Sequence, residues 1–189
     1  MSLDASVVLV GLSGTGKSTV AEWVASRAGL PARDLDSLVE DDAGASVARL
    51  FADRGEAGFR RLELEALRRV LAGPPAVIAT GGGVVTTPGA RDLLSGRTVL
   101  WLRARTDTLV ERLAGDGVTR PLLWSTSAGS DASAGSDLAE RLEAMVTERT
   151  PLYAEVATDV VDVDGLTVDQ VGDRVLELVA ADASAGGRR

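Results

Sequence analysis

Ser6-Val7-Val8-Leu9-Val10 runs directly into Gly11-Leu12-Ser13-Gly14-Thr15-Gly16-Lys17-Ser18, with Thr19 following. The second part fits G-x-x-x-x-G-K-[ST], a phosphate-binding loop. The first part is short, apolar and β-branched, as a buried parallel strand should be. After the loop, Val20, Trp23, Val24 and Ala28 fall near helical spacing, which predicts an amphipathic helix over 19–28. Strand, glycine loop and helix in that order are the context the motif requires. Glycines let successive backbone N–H groups turn inward toward phosphate oxygens, and the helix adds the positive end of its dipole. Gly14, Thr15, Gly16, Lys17, Ser18 and Thr19 are therefore candidate nucleotide-binding residues. Lys17 can reach the β- and γ-phosphates, and the Ser18 hydroxyl can ligate Mg²⁺.

Outward from the loop, three further apolar runs read as strands or contain one: 76–79, 98–102 and 156–163, with a short strand at about 32–36. Between them lie helical patterns at 37–42, 47–53, 56–71, 88–94, 107–113, 138–148 and 168–180. Ser46 can cap the helix from Val47, and Gly55 interrupts it. In the long pattern from Glu56, Phe59, Leu62, Leu67, Val70 and Leu71 are expected inward and the charges outward. The alternation predicts a three-layer α-β-α domain around a central five-stranded parallel sheet. Ligands of such sheets sit at the C-terminal strand ends, where the loop, Asp34/Asp36 and Gly81-Gly82-Gly83 all fall. One domain is expected over 1–181, with a flexible segment at 115–137 and a disordered tail at 182–189. Residues 125–136 are small and polar, with nothing to bury.

Composition narrows the chemistry. The chain of 189 residues has no His and no Cys, so imidazole bases, thiol nucleophiles and His/Cys zinc sites are excluded. Phosphoryl transfer needs little beyond positioning, charge and a hard cation. A net charge of −8 argues against a nucleic-acid partner. No apolar run approaches the about 18–20 residues that cross a bilayer. The N-terminus lacks a signal-type stretch, and a cytoplasmic location is expected.

Five constellations bear on the acceptor. In extended backbone, Asp34 and Asp36 of D-L-D face one side, so one can hold Mg²⁺ and the other can orient or deprotonate a hydroxyl; two solvated acids are the alternative. Arg60 and Glu63, three apart on the long helix, can touch, either in a site or on a solvated face. The triple glycine at 81–83 suits a ligand approaching the backbone, or a sharp turn. Arg120, opening the flexible segment just after Arg112, can close over a phosphate or lie exposed. Arg149 can reach back as a carboxylate fork or cap the end of its helix. Trp124 has no role legible in the sequence.

Taken in order, GLSGTGKST (11–19), DLD (34–36), FRRLE (59–63), TGGGVVT (80–86), TRPLL (119–123) and RTPLYAEVA (149–157) resemble the shikimate kinase family, in the nucleoside-monophosphate-kinase-like branch of P-loop proteins. The resemblance spans about residues 7–180. It implies ATP- and Mg²⁺-dependent transfer of the γ-phosphate to the 3-hydroxyl of shikimate. A monomer acting on these small molecules is the expectation. The resemblance also implies roles. Asp36 binds the ring hydroxyls and is the base, and Asp34 belongs to the Mg²⁺ surroundings with Ser18. Arg60, from substrate-binding helices of about 37–72, Gly82 of the triplet Gly81–Gly83, and Arg149 hold the carboxylate and ring. Glu63 supports Arg60, Arg120 contacts phosphates, and Arg112 packs near adenine. The Ser/Gly/Ala/Asp-rich insertion at 125–136 departs from the shorter loop usual in the family, which bears on K_M and closing rate. A same-fold kinase for gluconate or another polyol, and a nucleotide-dependent binding module, are the rival readings. The set Asp36, Arg60, Gly82 and Arg149 suits a carboxylate plus ring hydroxyls and separates a shikimate kinase from a kinase of another polyol.

Overall fold

Successive side chains of a strand point to opposite faces. In β1 (Val7–Val10), Val7 and Leu9 enter one apolar cluster and Val8 and Val10 another, all four at most 1% exposed. Both faces of this strand are thus covered, which is why its sequence is a continuous apolar run rather than an alternating one. At about 1.5–3 kcal/mol for each fully buried aliphatic side chain, such strands are the main source of cohesion.

The computed structural model describes residues 5–115 and 134–186. From β1 the chain passes through α1 (Lys17–Ala28), β2 (Ala32–Asp34), α2 (Leu35–Ala43) and α3 (Val47–Leu71). It continues through β3 (Val77–Ala79), a 3₁₀ turn (Val84–Thr86), α4 (Pro88–Leu94), β4 (Thr98–Arg103) and α5 (Thr106–Gly115). The described residues end with α6 (Ala134–Val156), β5 (Asp159–Asp162) and α7 (Val168–Gly186). Every pairing among the five strands is parallel, in the order β2-β3-β1-β4-β5. Helices α1 and α7 supply the apolar cluster on the Val7/Leu9 face, and residues of α2 to α6 supply the other. The expected three-layer arrangement is present, and the strand order reverses around β1, which places the ligand crevice at its C-terminal end. No helix among the described residues is long and apolar enough to cross a membrane.

Local signals account for several boundaries. The Ser46 side chain accepts from Arg49 N at 3.3 Å and caps α3. Gly55, with φ 65° and ψ 179°, breaks helical geometry within α3, so the two expected helices are one kinked element. Gly44, at φ 62°, closes α2.

Three boundaries differ from expectation. Helix α6 does not end at 148 but continues through Pro151 to Val156. Pro151 removes a helical donor, yet Tyr153 and Val156 beyond it are buried in the core, and that packing outweighs the local cost. Helix α6 also starts at Ala134, inside the stretch assigned to the loop, because a helix anchored by buried Leu138 and Leu142 propagates easily by a further turn. Helix α7 continues past Asp182 to Gly186; the intervening residues are rich in alanine, the best helix former. The rest of the loop assignment, including Arg120 and Trp124, lies outside the described residues.

Candidate active site

The phosphate loop is built by two glycines in left-handed conformation, Gly14 at φ 88° and Gly16 at φ 85°. Gly16 is the residue before α1, so the free N–H groups of the first helical turn open onto the loop. Thr15 Oγ1 donates to Leu12 O at 2.9 Å, and Lys17 Nζ donates to the same carbonyl at 2.8 Å. Lys17 is only 7% exposed, so its ammonium is held in the loop rather than in solvent. Ser18 Oγ donates to Asp34 Oδ2 at 2.5 Å. Thr19 lies exposed on the first turn of α1. Arg112, on α5, donates from Nη1 to Gly14 O at 3.2 Å and from Nη2 to Val163 O at 3.3 Å, so it flanks the loop on the β5 side.

The D-L-D segment is not the extended pair the spacing suggested. Asp34 ends β2 and caps α2, its Oδ1 accepting from Asp36 N at 3.0 Å and Ser37 N at 3.3 Å. Asp36 is already in the first helical turn. A capping carboxylate satisfies helix N–H groups that would otherwise be unpaired, and this local bond overrides continued extension. Both acids still lie at the C-terminal end of the sheet, beside the phosphate loop and the glycine triplet. Asp34 faces Ser18, and Asp36 faces the triple glycine.

Arg60 and Glu63 are not on a solvated face. Glu63 is 1% exposed and Arg60 9%, and Arg60 Nη1 donates to Glu63 Oε2 at 2.7 Å. Arg60 Nη2 also donates to Glu56 Oε1 at 3.3 Å. Burial raises the Glu63 carboxyl above its ordinary range. The charge and hydrogen bond of Arg60 oppose that rise, Asp36 adds to it, and Arg149 opposes it.

The triple glycine explains the convergence. None of Gly81, Gly82 and Gly83 is among the positive-φ glycines, so backbone conformation does not demand them. Space does. A Cβ on Gly81 would lie 2.5 Å from Glu63 Oε1 and 2.8 Å from Asp36 Oδ1, and one on Gly83 would fall on the Arg60 guanidinium. A Cβ on Gly82 would lie 2.9 Å from Ser13 N, in the phosphate loop. The glycines thus let Asp36, Arg60 and Glu63 pack beside the phosphate loop.

Arg149 closes the cluster from α6, within the helix rather than at its end. It is 7% exposed, and its Nη1 donates to Gly82 O at 3.1 Å. Arg60 Nε, Arg149 Nε and Glu63 Oε1 are buried without a hydrogen-bond partner among the described residues. Each such orphan costs about 1–3 kcal/mol or more, a cost that an anionic, hydroxylated ligand can offset.

Sequence reasoning missed Tyr153. It is 1% exposed, its hydroxyl donates to Gly82 O at 2.5 Å, and its ring stacks on Trp101 at 5.5 Å between centroids. The signal was present: Tyr153 follows Arg149 by four residues, one helical turn. Reading a helix end at 148 concealed it. Thr80 was also missed; it ties the end of β3 to β1 through Oγ1 and Leu9 O at 3.0 Å.

The chemistry of the cleft is therefore two-sided. One side offers backbone N–H groups, Lys17 and the Ser18–Asp34 pair. The other offers two buried arginines and a carboxylate. No group of three or more acidic residues that could hold a metal occurs among the described residues. Ser18 and Asp34 nonetheless form an all-oxygen donor pair that fits Mg²⁺, which takes one or two carboxylates and completes its shell with phosphate oxygens and water.

Comparison with known proteins points to one family. The family model described as "Shikimate kinase" matches residues 13–180. A shikimate kinase of Mycobacterium marinum is 43% identical over 155 residues, covering 82% of this chain and 78% of the relative. One of Symbiobacterium thermophilum is 42% identical over 175 residues, covering 91% and 94%. The solved shikimate kinase of Acinetobacter baumannii, in complex with shikimate, superimposes with a TM-score of 0.84 at 28% identity, covering 94% of each chain.

Proposed function

The chain belongs to the shikimate kinase family, and from that premise we propose which residues carry the reaction. The protein is a shikimate kinase: it transfers the γ-phosphate of ATP to the 3-hydroxyl of shikimate, giving shikimate 3-phosphate and ADP. Neither a gluconate-type kinase nor a binding module is favoured by the family and its relatives.

The observation that carries the assignment of roles is the packing of Gly82 against Ser13, which puts the buried Arg60–Arg149 cluster beside the phosphate loop. In our reading, Gly14, Thr15, Gly16, Lys17, Ser18 and Thr19 bind the ATP phosphates, and Arg112 packs near adenine. Arg60, Arg149 and the N–H groups of Gly81, Gly82 and Gly83 hold the shikimate carboxylate and ring, with Glu63 keeping Arg60 in place. The guanidinium forks match a carboxylate in geometry and charge. Asp36 accepts the proton of the attacking 3-hydroxyl, or orients that hydroxyl for in-line attack. Lys17 neutralises charge on the transferring phosphoryl group, and Arg120 adds a second cation. Ser18 and Asp34 would hold Mg²⁺, which when bound supplies charge neutralisation at the phosphates.

A single domain, with the acceptor helices at about 37–72 and a lid in the segment between α5 and α6, goes with these roles. The reading takes the protein as a monomer acting on two small molecules, ATP and shikimate. A biosynthetic, ATP-consuming kinase of this kind is placed by our reading in the cytoplasm, with no nucleic-acid or membrane partner. The test is ADP release by the purified protein with ATP and Mg²⁺ against shikimate, quinate and gluconate. Turnover with shikimate well above the other two is the expected result; preference for gluconate would replace the acceptor assignment.

A further inference from the structure

We infer that Tyr153 is a positioning residue of the acceptor subsite, its hydroxyl and Arg149 sharing the Gly82 carbonyl so that both the glycine turn and the arginine fork are aimed into the cleft. This rests on the acceptor reading above and adds a residue to it.

Tyr153 Oη donates to Gly82 O at 2.5 Å, while Arg149 Nη1 donates to the same oxygen at 3.1 Å. A carbonyl oxygen has two lone pairs, so both bonds fit. The shorter is the tyrosine's. Arg149 and Tyr153 are one turn apart on α6 and approach from the same face. The tyrosine itself has little freedom. Its ring is 1% exposed and stacks on Trp101, which lies in β4 beside the strand that leads into the phosphate loop. Burial pushes its phenol above the ordinary range, partly opposed by the charge and hydrogen bond of Arg149, so the hydroxyl stays a donor at working pH.

Gly82 needs such a tether. It has no side chain to fix its peptide, and glycine is the residue most free to reorient. A trans peptide is planar, with C=O and the next N–H pointing in opposite directions. Holding Gly82 O therefore fixes the direction of Gly83 N–H. It also determines what is left of Arg149. With Tyr153 also donating to Gly82 O, the arginine keeps donors for a ligand carboxylate, Nε among them, which has no partner among the described residues. Without the hydroxyl, Gly82 O relies on Arg149 alone, and the arginine is drawn toward the backbone and away from the substrate.

The test is Tyr153→Phe, which removes one oxygen and keeps the ring stack. Wild type and variant are compared by K_M for shikimate, K_M for ATP, kcat and thermal midpoint. The expected result is a rise of about tenfold in shikimate K_M, the scale of one well-placed hydrogen bond, with ATP K_M and kcat within about twofold. A merely structural role would lower the thermal midpoint while both K_M values stay put or rise together, and either pattern overturns the inference. Unchanged shikimate K_M beside a working wild type overturns it alone. A wild type that ignores shikimate overturns the acceptor reading as well.

Discussion

Ser18 Oγ donates to Asp34 Oδ2 across 2.5 Å, joining the first turn of α1 to the start of α2. The other oxygen of the same carboxylate caps α2 through Asp36 N and Ser37 N. One side chain thus orients the hydroxyl assigned to Mg²⁺ and fixes the helix that presents Asp36. These two duties separate by substitution. Asp34→Asn keeps a carbonyl oxygen for the cap and removes the charge. We expect its Mg²⁺ requirement in the turnover assay to rise by roughly 10–100-fold, with stability little changed. Asp34→Ala should in addition lose about 1 kcal/mol of stability with the cap. Magnesium titrations beside urea melts of both variants check this; an unaltered Mg²⁺ requirement in Asp34→Asn removes Asp34 from the metal's surroundings.

Gly83→Ala isolates the collision with Arg60. Gly83 has φ −109° and ψ 4°, which an alanine can adopt, so backbone strain plays no part. The added methyl would occupy the place of the Arg60 guanidinium. Overpacking of this kind costs typically about 1–3 kcal/mol, and relief requires Arg60 to leave its position against Glu63. Calorimetric titration should show shikimate affinity down by at least about tenfold, since losing one cation from a buried charge pair costs roughly 2–5 kcal/mol. ATP affinity should be nearly unchanged. Equal losses for the two ligands would mean that the substitution disturbs the fold rather than the acceptor subsite.

What was legible in the sequence was whatever is encoded locally. The phosphate loop is a contiguous string whose glycines have one geometric use, and the central strands β1, β3 and β4 announced themselves as apolar runs because both of their faces are covered. Even Gly55 and Ser46 were readable from neighbours alone. The acceptor side was harder because its reasons are non-local. Nothing near Gly83 reveals that Arg60, more than twenty residues earlier, occupies the space of its missing side chain. Arg60 and Glu63 break the rule that charges face outward, since each is buried with the other as partner. Asp34 and Asp36 were placed on the correct side of the sheet by an extended geometry that does not exist there. Capping by Asp34 was the overlooked local signal. Tyr153 was hidden by Pro151, whose local penalty is outweighed by core packing.

Asp36 can be tested without disturbing its helix. Asp36→Asn preserves size and leaves the Asp34 cap, which uses the backbone N–H of residue 36, intact. Loss of a general base typically lowers rate by about 10²–10⁴-fold. We expect kcat to fall on that scale while shikimate Kd changes much less, measured by single-turnover kinetics and calorimetry. Near-normal kcat would leave Asp36 as a binding residue only.

Arg149→Ala removes the fork from α6 while Tyr153 remains to hold Gly82 O. If the arginine pairs with the substrate carboxylate, shikimate binding should weaken by roughly 2–5 kcal/mol, with ATP binding retained. An unchanged shikimate Kd would reduce Arg149 to a tether of the glycine turn.

Glu63 sets a pH dependence of stability with a definite sign. Its carboxyl is raised above the ordinary value of 4.5, chiefly by burial, against the charge and hydrogen bond of Arg60. The folded state therefore binds this proton more tightly than the unfolded chain does. The resulting stabilisation is fully present below the ordinary pKa and is lost as pH climbs through the raised one. Glu63→Gln cannot titrate in that range and keeps an oxygen for Arg60. Wild type should accordingly lose stability relative to Glu63→Gln as pH rises above the ordinary carboxyl value and through the raised one, seen as a shrinking or reversing difference in thermal midpoint. Other titrating groups cancel in that comparison, because they are common to both proteins. A difference that stays constant across the range would mean that Arg60 holds Glu63 ionised throughout, with pairing prevailing over burial.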